Sequence, residues 1–166
     1  MIPETIIDKI LDQIDAQEVI DLTARLVRSN SVWDPEAGTG EAETAALVAR
    51  WAAGKGFAVD VEEVFPGRPN VIIRLGAGSG RRTLMFEAHT DVVTPGDRTR
   101  WRHDPFGAHI EDGRMFGRGT NDTKLRFGAM LVAMAALQSS GIALCGSVVG
   151  GVLCDEEGMM SGVRHF

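Results

Sequence analysis

Three short polar stretches carry residue types that can bind metal ions and transfer protons, and each follows an apolar or β-prone run. One stretch combines a histidine with an aspartate, the second carries an aspartate after two glycines, and the third carries two adjacent glutamates. Imidazole nitrogens and carboxylate oxygens are ligands of divalent ions such as zinc. If the three stretches converge, they would form a metal site with its own acid–base group. The residues are His89 with Asp91, Asp122, and Glu156 with Glu157.

His89 and Asp91 stand two residues apart at the end of the apolar run 83–86. In an extended segment such residues point to the same side. The pair therefore suits a metal ligand and the carboxylate that orients its ring. The alternative interpretation is a surface histidine beside a loop aspartate. Taken alone, the pair favours that alternative, because short His-Asp pairs are common.

Asp122 follows Gly117, Gly119 and a run of small polar residues. A carboxylate has two oxygens and can bridge two cations, which lie about 3.5–4 Å apart in paired sites. The alternative is a helix N-cap, in which Asp122 accepts hydrogen bonds from unpaired backbone N–H groups. Both roles are compatible with this loop, and taken alone the N-cap is favoured.

Glu156 and Glu157 are adjacent carboxylates directly after an apolar run. A helix start favours such residues by only ~0.3–1 kcal/mol each, so their repulsion indicates a nearby cation. If Glu157 binds a metal ion, Glu156 can reach the attacking water as a general base. A solvated acidic turn is the alternative interpretation. His103, His109 and His165 are weaker candidates, predicted to be solvated, substrate-facing or on a surface helix rather than ligands.

Helices and strands alternate along the chain, which predicts an α/β layered domain. Apolar residues at three- and four-residue steps indicate helices, and alternating or continuous apolar runs indicate strands. The strand at 82–88 is the most apolar and is predicted to be central. The predicted helices are 6–14, a second that starts between 15 and 18 and ends at 27, 41–53, and 122–138. The predicted strands are 57–61, 70–75, 82–88 and 144–153. The predicted loops are 29–40, 76–80 and 90–114.

The composition excludes several classes of protein. The 166-residue chain has a formal net charge of −6, which gives it no general attraction for nucleic acid. We find no cationic start followed by an apolar segment, and no apolar run of the roughly 20 residues that a membrane helix needs. Its two cysteines do not form a disulfide framework. These features predict a cytoplasmic protein with no membrane partner.

The order of the motifs resembles one family, the co-catalytic zinc deacylases and peptidases. This family includes acetylornithine deacetylase, succinyl-diaminopimelate desuccinylase, aminoacylase and glutamate carboxypeptidase. The resemblance covers nearly the whole chain and is most specific from 86 to 158. The motifs are His89-Thr90-Asp91, Trp101, Asp104-Pro105-Phe106, the run from Asp112 to Lys124, and Asp155-Glu156-Glu157-Gly158.

The resemblance implies two divalent metal ions, zinc or cobalt, and a role for each candidate residue. His89 would bind one ion and Asp91 would orient His89. Asp122 would bridge the ions, and the peptide bond after it would be cis. Glu157 would bind the second ion, and Glu156 would be the general base that carries the proton of the attacking water.

Two departures from the family pattern limit what the chain is expected to do. The family usually has glycine directly after Lys124, where this chain has Leu125, so the packing of the following helix is expected to differ. Family members are also more than twice as long. We therefore expect 1–166 to be the N-terminal part of a zinc-peptidase-like catalytic domain that is incomplete at the C-terminus. The lid and dimerisation domain and one further ligand for each ion would be missing.

The resulting functional prediction is a metal-dependent hydrolase that cleaves the amide bond of an N-acyl amino acid or peptide, as acetylornithine deacetylase does. The full-length protein is expected to be a homodimer, and this chain alone is expected to be inactive. The alternatives are a dipeptidase or carboxypeptidase of the family and a non-catalytic interaction module. A dinucleotide-binding domain is disfavoured, because no helix is predicted to open after the glycine-rich stretch 76–80.

Overall fold

The computed structural model describes residues 3–76 and 82–166. Most of the predicted connection at 76–80 therefore lies outside the described residues. The helices are α1 (Glu4–Leu11), α2 (Ala16–Arg28), α3 (Ala42–Gly54), α4 (Leu125–Ser139) and α5 (Ser161–His165). The strands are β1 (Ala58–Phe65), β2 (Arg68–Leu75), β3 (Thr83–His89), β4 (His109–Glu111), β5 (Arg114–Phe116) and β6 (Ser147–Leu153).

Four strands form the main sheet, in the order β1-β2-β6-β3. Strands β1 and β2 pair antiparallel, as do β2 and β6, whereas β6 and β3 pair parallel. The prediction that β3 is central was wrong for the described sheet, where β3 is an edge strand and Leu84 and Phe86 are exposed. An apolar run indicates a strand, but it does not specify how many strands pair with it.

The segment predicted as a loop from 90 to 114 contains regular structure near its end. Strands β4 and β5 form a hairpin across Asp112 and Gly113, which both have positive φ angles, 50° and 72°. A short aspartate and a glycine are among the residues that tolerate this left-handed backbone. The prediction failed here because each strand has only three residues, too few to show a periodic pattern.

Helices α3 and α4 cover one face of the sheet, α2 packs against α4, and the three helices form the main core with the sheet. A Cβ atom at Gly150 in β6 would meet the Met134 sulfur at 3.0 Å, so the glycine lets α4 approach the sheet closely. This arrangement confirms the predicted α/β layered fold. None of the helices in the described residues has the length and apolar character that a membrane crossing requires. The buried residues of the core include Leu22, Leu26, Val48, Val71, Ile73, Phe127, Leu131 and Val152.

Candidate metal centre

The parallel pairing of β3 with β6 places the carboxyl ends of both strands at one edge of the sheet. Thr90, directly after β3, ties these ends together. Its backbone N–H donates to the carbonyl oxygen of Leu153 at 2.7 Å, and its hydroxyl donates to the same oxygen at 3.1 Å. The His89 and Glu156 stretches therefore start from neighbouring points, although 67 positions separate them in the sequence.

An irregular turn over Thr120–Lys124 brings the third stretch to the same edge. The turn begins after Gly119, whose φ angle is 81°. The peptide bond between Asp122 and Thr123 is cis, as the family resemblance predicts. Asp122 has extended rather than helical backbone angles, and α4 starts only at Leu125. The predicted helix 122–138 therefore begins three residues late, and Asp122 does not cap it.

The side chains of the three stretches converge as predicted. The Nε2 atom of His89 lies 3.4 Å from Oδ1 of Asp122 and 3.7 Å from Oε2 of Glu156. One possible ligand atom each from His89, Glu156 and Glu157 lies within 4.8 Å of the others. His89 is buried, whereas Asp122 and Glu157 are exposed, so the cluster opens to solvent on its acidic side.

Asp91 contacts both His89 and the glutamate turn. The Nδ1 atom of His89 lies 3.0 Å from the backbone carbonyl oxygen of Asp91 and 3.6 Å from its carboxylate. The carboxylate also accepts hydrogen bonds from the backbone N–H groups of Glu156, at 3.1 Å, and Glu157, at 2.9 Å. Asp91 therefore holds the backbone of both glutamates, a role that the spacing of His89 and Asp91 does not predict.

The acidic groups perturb one another and His89. Burial opposes the charged form of His89, but Asp91 and Glu156 outweigh it and raise its pKa to about 9. Burial also opposes ionisation of Asp91, yet hydrogen bonding with His89 and with the two backbone N–H groups lowers its pKa. The pKa of Glu157 is raised by burial and by the negative charges of Asp122, Glu156 and Asp91, against the opposing effect of His89.

These residues fit a divalent cation by their chemistry. The ligand atoms of His89, Glu156 and Glu157 lie close together and Asp122 approaches His89, while burial and the neighbouring carboxylates raise the pKa of Glu157. A cation with nitrogen and oxygen ligands would relieve this repulsion. The contact between His89 and the backbone oxygen of Asp91 leaves Nε2 directed toward Asp122 and Glu156.

A buried ion network supports the glutamate turn and was missed by the sequence reasoning. Arg68, at the start of β2, pairs with Glu41 at 2.5 Å and with Asp155 at 2.9 Å. The carboxylate of Asp155 also accepts hydrogen bonds from the backbone N–H groups of Met159 and Ser161. The motif containing Asp155 was recognised, but no local signal connects it with an arginine 87 positions earlier.

A second group of possible ligands lies on and beside the β4–β5 hairpin. The rings of His103 and His109 stack with centroids 3.9 Å apart and planes 23° apart, and Nε2 of His103 lies 3.4 Å from Glu111. Ring-nitrogen lone pairs lie in the ring plane, so the stacked rings place theirs in two planes only 23° apart. Glu111 already accepts a hydrogen bond from Arg102 at 2.9 Å. That His103 and His109 are weaker ligand candidates than His89 stays a prediction.

Leu125, the departure from the family pattern, does not enter the core. Its side chain is 42% exposed and lines a cavity of about 400 Å³ beside the Thr120–Lys124 turn. Gly128, one helical turn later, faces α2, where an added Cβ atom would meet the Thr23 hydroxyl oxygen at 3.0 Å. The close contact between α4 and α2 therefore depends on Gly128, and Leu125 leaves it intact.

Comparison with known proteins agrees with this fold. The sequence profile of the peptidase family M20/M25/M40 matches residues 85–166. A succinyl-diaminopimelate desuccinylase from Methylocella silvestris is 40% identical over 147 residues, 86% of this chain and 36% of the relative. An acetylornithine deacetylase from Vibrio campbellii is 38% identical over 138 residues, 83% of this chain and 35% of the relative.

Solved structures show the same architecture. A metallo-carboxypeptidase of the M20 family from Sulfolobus solfataricus superposes with a TM-score of 0.71 at 25% identity, covering 81% of this chain and 30% of that one. Human carnosine dipeptidase 1 superposes with a TM-score of 0.79 at 23% identity, covering 98% of this chain and 37% of that one. The chain thus spans about a third of the length of the relatives it matches. Sequence and fold together show that this chain belongs to peptidase family M20/M25/M40.

Proposed function

We propose that the protein containing this chain is a metal-dependent hydrolase that cleaves the amide bond of an N-acyl amino acid or small peptide. The observation that carries the proposal is the convergence of His89, Asp122, Glu156 and Glu157 at one sheet edge. The relatives at 40% and 38% identity are named a desuccinylase and a deacetylase, which favours removal of a small acyl group. An acetylornithine deacetylase-like reaction is our leading assignment.

We assign each residue one role in this centre. His89 and Glu157 would each bind one of two divalent ions, zinc or cobalt, and Asp122 would bridge them. Asp91 would orient His89 and hold the glutamate turn through the contacts described above. Glu156 is the general base, because its carboxylate faces the cluster and is not needed to complete the His89, Asp122 and Glu157 set.

The ions, when bound, would lower the pKa of a water molecule toward ~7 and polarise the substrate carbonyl. Glu156 accepts a proton from the attacking water as the C–O bond forms. The same carboxyl group then donates that proton to the amine nitrogen as the C–N bond breaks. Asp91 keeps the glutamate turn fixed during both proton transfers, because it binds the backbone and not the reacting side chain.

Activity requires more of the family's length than this chain supplies. His89 with Asp122, and Asp122 with Glu157, give each ion two protein ligands, whereas catalytic zinc normally has about three. We propose that the 166 residues are the N-terminal part of the catalytic domain, and that the full-length, cytoplasmic protein adds the remaining ligands, a lid and a homodimer interface. The chain alone is expected to show no turnover.

The test is Glu156→Gln in the full-length protein, with Glu157→Gln as the comparison. Glu156→Gln should retain its metal and lose at least 10²-fold in kcat, in the range for loss of a general base. Glu157→Gln should lose metal as well as activity. Metal content by elemental analysis and hydrolysis of N-acetylornithine and N-succinyl-diaminopimelate provide the measurements. Full turnover by Glu156→Gln would end the general-base assignment, and activity that survives chelation would end the proposal.

A carboxypeptidase is the second candidate, because a structure of that name is 25% identical over most of the chain. The same substrate panel separates the two functions. Cleavage of dipeptides with a free amino group, without cleavage of N-acyl amino acids, would favour a peptidase over a deacylase.

A further inference from the structure

Lys124 is a fully buried lysine whose ammonium group contacts backbone rather than a carboxylate. Its side chain is 0% exposed, and Nζ donates to the carbonyl oxygens of Leu26, at 2.8 Å, and Ser29, at 2.7 Å. Both acceptors lie at the end of α2, where carbonyl groups have no donor within the helix. A cation at this end also interacts favourably with the helix dipole.

The other end of Lys124 belongs to the turn that carries Asp122. Its backbone N–H donates to the carbonyl oxygen of Gly119 at 2.8 Å, which closes the turn. A Cβ atom at Gly119 would meet Val92 at 2.7 Å and the Lys124 stem at 3.2 Å, so the turn packs tightly against that stem. The backbone of Lys124 therefore belongs to the turn, its side-chain stem packs against the turn, and its Nζ atom bonds to the end of α2.

Asp122 depends on this connection for its position. Its side chain is 69% exposed, so little packing restrains it, and its backbone angles are not those of a helix. The 3.4 Å approach of Asp122 to His89 must therefore be set by the backbone of the turn. Burying an amine costs free energy that a methionine of similar length would not incur, which indicates that the two hydrogen bonds are what this position requires.

We propose that Lys124 is a positioning residue of the metal centre, which fixes Asp122 relative to His89 by anchoring the Thr120–Lys124 turn to the end of α2. The inference rests on the proposed function, because it assumes that Asp122 binds metal. It does not depend on the charge of Lys124: burial lowers its pKa to about 7, against the opposing effect of Glu43, but an ammonium and a neutral amine can both donate two hydrogen bonds.

The experiment measures zinc affinity of the full-length protein by competition with a chelator, together with thermal unfolding. Lys124→Met should fold and bind zinc 10–100-fold more weakly, the range for loss of a supporting contact. Lys55→Met is the matched control, since Lys55 is a partly exposed lysine paired with Glu18 at 2.5 Å. The zinc affinity of the Lys55→Met variant should equal that of the wild type.

A double-mutant cycle with Asp122→Asn separates positioning from general destabilisation. If Lys124 acts through Asp122, Lys124→Met should cost little further affinity once Asp122 is replaced, so the losses are not additive. Additive losses, or wild-type affinity in folded Lys124→Met, would overturn the inference. If Lys124→Met does not fold, the same cycle is run with Lys124→Arg, which keeps the donors but enlarges the head group.

The proposed function and this inference fail in different ways. A wild-type protein that binds no divalent ion contradicts the proposed function. Wild-type binding that is unchanged in a folded Lys124 variant contradicts only the role of Lys124.

Discussion

The described residues contain two clusters of the same ligand types, and we propose one of them as the metal centre. His89, Glu156 and Glu157 lie at the ends of two parallel strands, and His103, His109 and Glu111 lie on and beside a short hairpin. Proximity does not distinguish them, because the possible ligand atoms lie within 4.8 Å of one another in each cluster. The distinction lies in what holds the side chains and in what already neutralises them.

At the strand ends, the supporting contacts leave the ligand atoms free. Asp91 contacts the backbone of the glutamate turn and Nδ1 of His89. Nε2 of His89 and both glutamate carboxylates therefore remain available to bind a metal ion. On the hairpin, the rings of His103 and His109 stack, and one carboxylate oxygen of Glu111 already accepts a hydrogen bond from Arg102. A list of histidines and acidic residues therefore identifies candidates, and the surrounding contacts decide between them.

Replacing one histidine from each cluster gives the largest expected difference. His89→Ala removes the buried imidazole that we propose as a ligand at the strand ends, and it should lower zinc affinity by at least about 100-fold. His109→Ala removes an exposed ring from the hairpin and should leave zinc affinity and stoichiometry unchanged. Elemental analysis after dialysis and titration with zinc measure both quantities. Loss of metal in His109→Ala would contradict this distinction between the two clusters, because the hairpin would then bind an ion itself.

Asp91→Asn tests whether support of the backbone distinguishes the strand-end cluster. The amide keeps one acceptor oxygen but turns an N–H group toward a backbone donor, so one of the two hydrogen bonds is lost. We expect a loss of about 1–3 kcal/mol in the free energy of unfolding and a 10–100-fold loss of zinc affinity. Chemical denaturation and zinc titration are the measurements.

Asp104→Asn is the control for that experiment. Asp104 also accepts a backbone hydrogen bond, from Phe106 at 3.1 Å, and pairs with Arg98 at 2.7 Å, but its side chain is 59% exposed. The zinc affinity of the Asp104→Asn variant should match that of the wild type. Equal losses in the two variants would show that Asp91 has no special connection with the metal centre.

The sequence predicted the strand-end cluster because its residues follow apolar runs. A residue after a strand is placed at the end of that strand, so His89 and Glu156 could be located without knowledge of the sheet order. Their adjacency depends on the parallel pairing of β3 with β6, which the pattern alone does not specify. The same limit explains why the apolar pattern of β3 does not predict its edge position.

The supporting contacts could not be predicted, because they join positions far apart in the sequence through groups that carry no local pattern. Asp91 reaches backbone N–H groups 65 and 66 positions later, and Lys124 reaches carbonyl groups 95 and 98 positions earlier. Every residue has such backbone groups, so nothing in the sequence marks which of them will be used.

Arg102→Gln is the smallest expected change and separates the two features that set the hairpin apart. Arg102 is 71% exposed, and the loss of its ion pair with Glu111 should change the free energy of unfolding by no more than ~1 kcal/mol. The substitution frees Glu111 but leaves His103 stacked on His109. If ring geometry prevents binding, zinc stoichiometry will not change in titration. A gain of one zinc ion per chain would instead show that charge compensation by Arg102 is what distinguishes the hairpin from the strand ends.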